Sequence, residues 1–226
     1  MTRPNRNNVV MNSAANLLEA RDIAKRFGSV VALRSASLSV RPGEVHALMG
    51  ANGAGKSTLV KILTGVFPPD RGTIAISDAG RSFRSPAEAR AAGIVSVYQD
   101  PALVPDLTVA DNMRLADVAA SAVRRWLEAL GVENLRFDAF VRDLPYPILR
   151  LIDLARALAS DPLILLLDEI TAALPADLSE RVFQVVRHWR QRGHSVEHRL
   201  ERKTLTQKRT VRLRRADAHA RHVIRP

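Results

Sequence analysis

The sequence contains no cysteine, and aromatic residues make up only 4% of its 226 residues. Without cysteine the chain cannot form a disulfide, a thiolate metal site or a thiol nucleophile, and nothing indicates an oxidising compartment. No apolar run approaches the roughly 20 residues of a transmembrane helix. The polar stretch 1–16 contains no signal-peptide core. These absences favour a soluble protein of the cytoplasm.

Positive charge is concentrated at the C-terminal end of the chain. The 34 Lys and Arg exceed the 23 Asp and Glu by 11, and residues 194–226 account for a net charge of +7, which leaves +4 for residues 1–193. Polycations bind phosphate backbones with little specificity. However, the basic segment has no aromatic residue on which a base could stack. Nucleic-acid binding is therefore the weaker interpretation of this charge.

Short β-type runs alternate with longer helical patterns, and 46% of the residues are apolar, which predicts one α/β domain with a parallel sheet covered by helices. Strands are predicted at 17–23, 36–40, 44–49, 94–98 and 163–167. Helices are predicted from Lys56 to just before Gly65, at 119–130, at 148–159 and at 179–192, the last with Ser179 as its N-cap. The strand 163–167 is continuously apolar, which is typical of burial on both faces.

A glycine-rich segment lies between the third predicted strand and the first predicted helix. Its residues Gly50, Ala51, Asn52, Gly53, Ala54, Gly55, Lys56 and Ser57 match the phosphate-loop pattern G-x-x-x-x-G-K-[ST] in full. The glycines let backbone N–H groups surround a triphosphate, and the helix adds its positive end. Lys56 would then reach the β- and γ-phosphates, and Ser57 would ligate Mg²⁺. The alternative, a simple turn with an exposed lysine, does not explain this strand–loop–helix setting.

Two acidic residues follow the apolar strand 163–167. A charge placed directly after five apolar residues is costly unless it faces a cation or water. Asp168 therefore suits coordination of the metal through water, and Glu169 suits polarisation of the attacking water. The alternative is a strand that simply reaches the protein surface.

With these motifs the sequence resembles the ATP-binding subunits of ABC transporters, especially the sugar-importer branch, over roughly residues 17–193. The resemblance is longest at 50–65, where Thr58 joins the phosphate loop. It continues in three further segments, which are the glutamine loop (97–100), the helix behind the signature (154–158) and the Walker B strand (165–169). It implies a P-loop NTPase core of the ABC ATPase type. A helical subdomain at about 101–143 would be inserted into that core.

The resemblance also implies roles, cofactors and partners. Gln99 would contact Mg²⁺ and the attacking water, and its loop would touch a membrane permease. Phe27 corresponds to the aromatic residue that stacks on adenine, although an isolated aromatic is more typical of a core. The cofactors would be ATP and Mg²⁺, and the protein would lie on the inner face of the cell membrane.

The family signature, Leu-Ser-Gly-Gly-Gln or a near relative, is replaced here. The aligned residues are Leu144, Pro145, Tyr146, Pro147 and Ile148. In the family this turn binds the γ-phosphate held by the opposite subunit. The two prolines lack backbone N–H groups, and tyrosine is bulky where glycine allows close approach. We therefore expect hydrolysis to require a second ATP-binding domain with an intact signature.

The segment after Gly193 is the second departure from the family. His198 resembles the histidine that acts as the γ-phosphate switch, but it comes early and lacks the preceding apolar strand. A solvated histidine is an equal alternative. The charges over 197–215 predict that no buried central strand forms there. We expect 194–226 to be a basic, non-native or disordered tail that results from truncation, a shifted reading frame or recombination.

The sequence therefore predicts a polar tail at 1–16, an ABC ATP-binding domain at 17–193 and a basic tail at 194–226. The predicted function is that of an ATP-binding importer subunit for sugars, which hydrolyses ATP in a dimer to drive a permease. Two alternatives stay open. The chain could bind ATP while being impaired in hydrolysis, as a truncated fragment, or it could bind nucleic acid.

Overall fold

The computed structural model describes residues 16–42, 44–49, 55–76, 79–80, 83, 85–168, 174–190, 195–199 and 209–212. One of its two sheets is antiparallel, with the strand order β2-β1-β4-β5. Its strands are β1 (Leu18–Phe27), β2 (Val30–Val40), β4 (Arg71–Ile76) and β5 (Ala79–Gly80). β1 and β2 extend the two strands that alternation in the sequence predicts at 17–23 and 36–40.

The second sheet is parallel and has the strand order β6-β7-β8-β3-β9. Its strands are β3 (Val45–Met49), β6 (Ile94–Val97), β7 (Ile164–Asp168), β8 (Ser195–Arg199) and β9 (Arg209–Arg212). The sequence predicts β3, β6 and β7 to within a residue or two of these bounds. The α/β class is confirmed.

Strand β8 contradicts the prediction that no central strand follows Gly193. Every residue of Ser195–Arg199 pairs with a residue of β7, and every one except Ser195 also pairs with a residue of β3. The ladder is built from backbone groups, which an Arg or Glu supplies as well as a Val does. Arg199 lies opposite Asp168 in the register. β9 adds a further strand on the other side of β3, within the segment that we expected to be a tail.

In the part of the chain that the structure describes, six α-helices connect and cover the sheets. They are α1 (Lys56–Leu63), α2 (Pro86–Ala91), α3 (Val109–Leu115), α4 (Ala120–Ala129), α5 (Tyr146–Ala159) and α6 (Ala176–Arg190). The predicted stop of α1 at Gly65 is confirmed. Gly65 has φ +71°, and N–H groups of Gly65 and Val66 donate to the carbonyls of Ile62 and Lys61, the pairing of a Schellman cap.

The start of α6 differs from the prediction. Ser179 is not the N-cap, because its N–H donates to the Pro175 carbonyl at 2.9 Å and the residue already lies inside the helix. Proline directly before Ala176 has the φ angle that a first helical turn requires, which sets an earlier start. The short strands β4 and β5 and the helix α2 were not predicted.

Among the described residues, the buried apolar side chains form two clusters that meet at β7. Ile164 and Leu166 pack with α1 and the antiparallel sheet, whereas Leu165 and Leu167 pack with α3, α4, α5 and α6. Alternation along the strand sends successive side chains to opposite faces of the sheet. The predicted burial of this strand on both faces is therefore confirmed. Within the described residues, no helix has both the length and the apolar character needed to cross a bilayer.

Candidate nucleotide-binding site

The candidate site lies at the edge of the parallel sheet where β3 and β7 both end. Asp168 pairs with Arg199 of β8, and Arg199 pairs in turn with Leu48 of β3. Neighbouring strands are about 4.8 Å apart, so the backbones of Asp168 and Leu48 are separated by about 10 Å. The phosphate-loop segment, which follows β3, and the acidic end of β7 therefore share one edge.

The described part of the phosphate loop begins at Gly55, whereas residues 50–54, from Gly50 to Ala54, lie outside the described residues. Gly55 has φ +85°, and a Cβ added there would lie 2.6 Å from the carbonyl oxygen of Ala32. Both the left-handed backbone and this close approach require glycine. The G of the G-K-[ST] motif is thus explained by packing of the loop against β2.

Lys56, Ser57 and Thr58 form the first turn of α1. Lys56 is only 5% exposed, Thr58 is half-buried, and Ser57 is exposed. Burying an amino group at this depth is costly unless anionic or hydrogen-bonding groups surround it. The positive end of the helix adds to this field. A buried cation beside an exposed hydroxyl at a helix N-terminus fits a bound phosphate and its metal ion.

Asp168, the last residue of β7, is 7% exposed, and Glu169 lies outside the described residues. Among the described residues, no group of three His, Asp or Glu side chains could hold a metal ion by itself. Mg²⁺ keeps most of its water and binds proteins through one or two groups together with substrate phosphates. Ser57 and Asp168 are the described residues that suit this role.

Gln99 lies just beyond β6 and is exposed. Its carbonyl oxygen accepts hydrogen bonds from the Tyr146 hydroxyl, at 3.0 Å, and from the Arg150 guanidinium. Both donors belong to α5. One residue earlier, the hydroxyls of Tyr98 and Thr64 lie 3.0 Å apart and connect the end of β6 to α1. The sequence indicated the glutamine loop, but it gave no sign that α5 holds it.

Phe27 ends β1 with 46% of its surface exposed, so it is not a core residue. The ring packs edge-on against Phe67, with 5.3 Å between centroids and 80° between planes. The Lys25 ammonium lies 5.8 Å from each centroid, and it donates to Asp70 and to the Pro68 carbonyl at 2.8 Å each. Two hydrogen bonds lower the pKa of Asp70. The larger effect comes from the Lys25 ammonium and the smaller from the Arg26 N–H. These contacts orient a partly exposed ring, and no local pattern in the sequence indicates a role for Phe67.

The turn that replaces the family signature runs into the start of α5. Pro145 is the N-cap residue, with no side-chain capping bond, and its carbonyl accepts from the N–H groups of Ile148 and Leu149 at 2.9 and 3.1 Å. Neither Pro145 nor Pro147 has an N–H group to offer. Because the N–H groups of Leu144 and Ile148 already donate to the carbonyls of Val141 and Pro145, this turn presents few donors to an anion.

His198 lies in β8, where its backbone pairs with Leu167 and Ala47. It therefore stands within the ladder, one position before the pair of Asp168 and Arg199. The role of a γ-phosphate switch stays a prediction.

A family model described as "ABC transporter" matches residues 33–172. The chain belongs to the ABC transporter family. This match contains the phosphate loop, the glutamine loop and the strand that ends in Asp168. The resemblance stated from the sequence motifs is confirmed.

Curated relatives within the family carry the name ribose import ATP-binding protein. One from Rhizobium johnstonii is 38% identical over 81% of this chain and 39% of its own length. One from Streptomyces coelicolor is 42% identical over 83% of this chain and 40% of its own length. The chain thus spans about two fifths of the length of these relatives.

Solved structures of ATP-binding cassettes have the same fold as this ABC family member. A nucleotide-free cassette of an ABC transporter matches with a TM-score of 0.74 and 25% identity, over 83% of this chain and 82% of that one. The ADP conformation of the cassette MJ1267 matches with a TM-score of 0.73 and 26% identity, over 84% and 83%. The predicted P-loop NTPase core of the ABC ATPase type is confirmed.

Proposed function

We propose that this chain is an ATP-binding unit of an ABC importer for sugars. It binds Mg-ATP at the edge of the parallel sheet and works with a membrane permease on the cytoplasmic side of the membrane. The observation that carries the proposal is the phosphate-loop motif whose lysine is buried at the start of α1, with Asp168 on the same sheet edge. The names of the relatives support the sugar-import assignment.

The proposal gives a task to each candidate residue of the site. Lys56 neutralises charge on the β- and γ-phosphates, and the α1 N-terminus and loop amides bind their oxygens. Ser57 and Asp168 hold Mg²⁺, which supplies neutralisation of phosphate charge when it is bound. Phe27 offers its exposed ring to adenine, and Glu169 and Gln99 orient the attacking water. His198 is the proposed contact to the γ-phosphate.

Hydrolysis by this chain needs a partner domain with an intact signature. Each ATP of an ABC dimer lies between the phosphate loop of one domain and the signature of the other. Here the signature turn has prolines at two of its positions, and the Tyr146 hydroxyl donates a hydrogen bond to the Gln99 carbonyl of the same chain. A pair of identical chains would thus contain two impaired sites. One intact partner restores one working site, and the chain alone is an ATP-binding but hydrolysis-impaired unit.

The binding step can be tested on the full chain by titration with Mg-ATP at fixed salt. Lys56→Ala should weaken binding by about 1.5–3 kcal/mol, the value of a hydrogen bond to a charged group. Lys61→Ala is the matched control, since Lys61 is an exposed lysine of the same helix. Equal affinities of the wild-type chain and Lys56→Ala would refute the proposal.

A further inference from the structure

One face of α5 contacts the glutamine loop at consecutive turns of the helix. Tyr146, Arg150 and Asp153 are spaced i, i+4 and i+7, which places them in one row along the helix. The first two donate to the carbonyl of Gln99, and an Asp153 carboxylate oxygen accepts from the Ala102 N–H at 3.3 Å. The row therefore contacts both ends of the loop segment 99–102.

The members of this row also fix one another. The Arg150 guanidinium lies 3.4 Å from the Tyr146 hydroxyl and 5.8 Å from its ring centroid. Asp153 is buried and pairs with Arg156 at 2.5 Å. Arg150 is only 3% exposed. A guanidinium buried this deeply is destabilising unless its donors are used, so its hydrogen bond to Gln99 contributes to its stabilisation.

We propose that Tyr146, Arg150 and Asp153 are positioning residues that hold the glutamine loop from within the same chain. The tyrosine at the degenerate signature then acts on Gln99 of its own chain. The loop position becomes linked to that of α5, because Gln99 cannot leave without breaking two hydrogen bonds. The inference rests on the proposed function only for the role of Gln99 toward Mg²⁺.

The contacts of Tyr146, Arg150 and Asp153 with the loop 99–102 are called the brace. Hydrogen exchange of the full chain without nucleotide tests whether the brace holds the loop. Tyr146→Phe removes one donor while keeping the ring, and exchange of the amides at 100–104 should rise about three- to tenfold, as expected for the loss of one hydrogen bond in a local opening. Tyr98→Phe is the matched control, since Tyr98 bonds to Thr64 and not to the loop carbonyl. Equal exchange at 100–104 in the wild-type chain and Tyr146→Phe would overturn the proposal.

A second pair of variants separates positioning from general stability. Arg150→Met removes the guanidinium donors and should loosen 100–104, whereas Arg150→Lys keeps a charged donor and should restore much of the protection. The exchange of β7 should stay at its wild-type level in both. A rise spread equally over β7 and the loop would indicate a purely structural role, and it would refute positioning.

The link to Gln99 is tested by nucleotide affinity with Mg²⁺ and with a chelator. In Tyr146→Phe the gain in affinity that Mg²⁺ provides should fall about three- to tenfold, while the affinity without Mg²⁺ stays the same. If hydrogen exchange shows a loosened loop in Tyr146→Phe but Mg²⁺ raises nucleotide affinity as much as in the wild-type chain, the proposed effect of Tyr146 on Gln99 is refuted. If the wild-type chain binds no nucleotide at all, the proposed function is wrong, and hydrogen exchange still decides whether the brace exists.

Discussion

The edge-to-face pair of Phe27 and Phe67 predicts that a residue outside the phosphate loop controls affinity for the base of the nucleotide. Phe67 fixes the orientation of the exposed Phe27 ring, with centroids 5.3 Å apart. Such a pair contributes about 0.5–1.5 kcal/mol beyond burial. Phe67→Leu should therefore weaken ATP binding about two- to twelvefold. Phe27→Ala should have a larger effect, since stacking of a base on an aromatic ring contributes about 1–3 kcal/mol.

The assay is a titration of ATP beside inorganic tripolyphosphate, which has the phosphates without the base. Phe67→Leu should leave tripolyphosphate affinity unchanged, because Lys56 and the loop are the groups proposed to hold the phosphates. Val66→Ala is the control, since Val66 is the exposed apolar neighbour. Equal losses for both ligands would mean that the substitution disturbs the phosphate half of the site. No loss for ATP would refute the positioning of Phe27 by Phe67.

Three further predictions concern the loop, a buried acid and hydrolysis. Gly55→Ala should weaken Mg-ATP binding at least tenfold in a titration, because its Cβ meets the Ala32 carbonyl and the left-handed backbone is strained by about 1–2 kcal/mol; unchanged affinity would contradict this packing. Burial raises the pKa of Asp153 above its ordinary value of 3.8, against the influence of Arg156. At pH values just above 3.8 the folded chain therefore retains more of the Asp153 proton than the unfolded chain does, and the stability of the wild-type chain relative to Asp153→Asn should fall as the pH rises above about 4 in urea unfolding; a rise would reverse the assigned sign. Pure homodimer should hydrolyse ATP far below the median enzyme rate of ~10 per second, and a partner with an intact signature should restore turnover in a phosphate-release assay; fast turnover by the homodimer would contradict the impaired signature.

The parts of the fold that could be predicted are those in which local pattern and tertiary packing agree. β7 is apolar at every position before Asp168 and is buried on both faces, so its sequence determines its place. The phosphate-loop motif is equally specific, because the left-handed backbone at Gly55 requires glycine. In both cases a short stretch of sequence predicts the element, although only the structure shows how closely Gly55 approaches Ala32.

The parts that could not be predicted depend on partners far away in the sequence. Charges at Glu197 and Arg199 argue against a central strand, yet backbone pairing with β3 and β7 places them in one. Tyr146 was recognised only as a poor phosphate-binding residue. Its bond to Gln99 spans 47 residues, and no local pattern indicates it. For the same reason Phe67 gave no signal before the structure placed it beside Phe27.

Strand β7 belongs to both hydrophobic clusters, with alternate side chains in each. The two halves of the molecule are therefore not independent folding units, since neither cluster can lose its packing without exposing one face of the same strand. A single cooperative unfolding transition follows for the described core. Asp168 stands at the end of this shared strand, so a shift of either half against the other is transmitted to the carboxylate proposed to hold the metal.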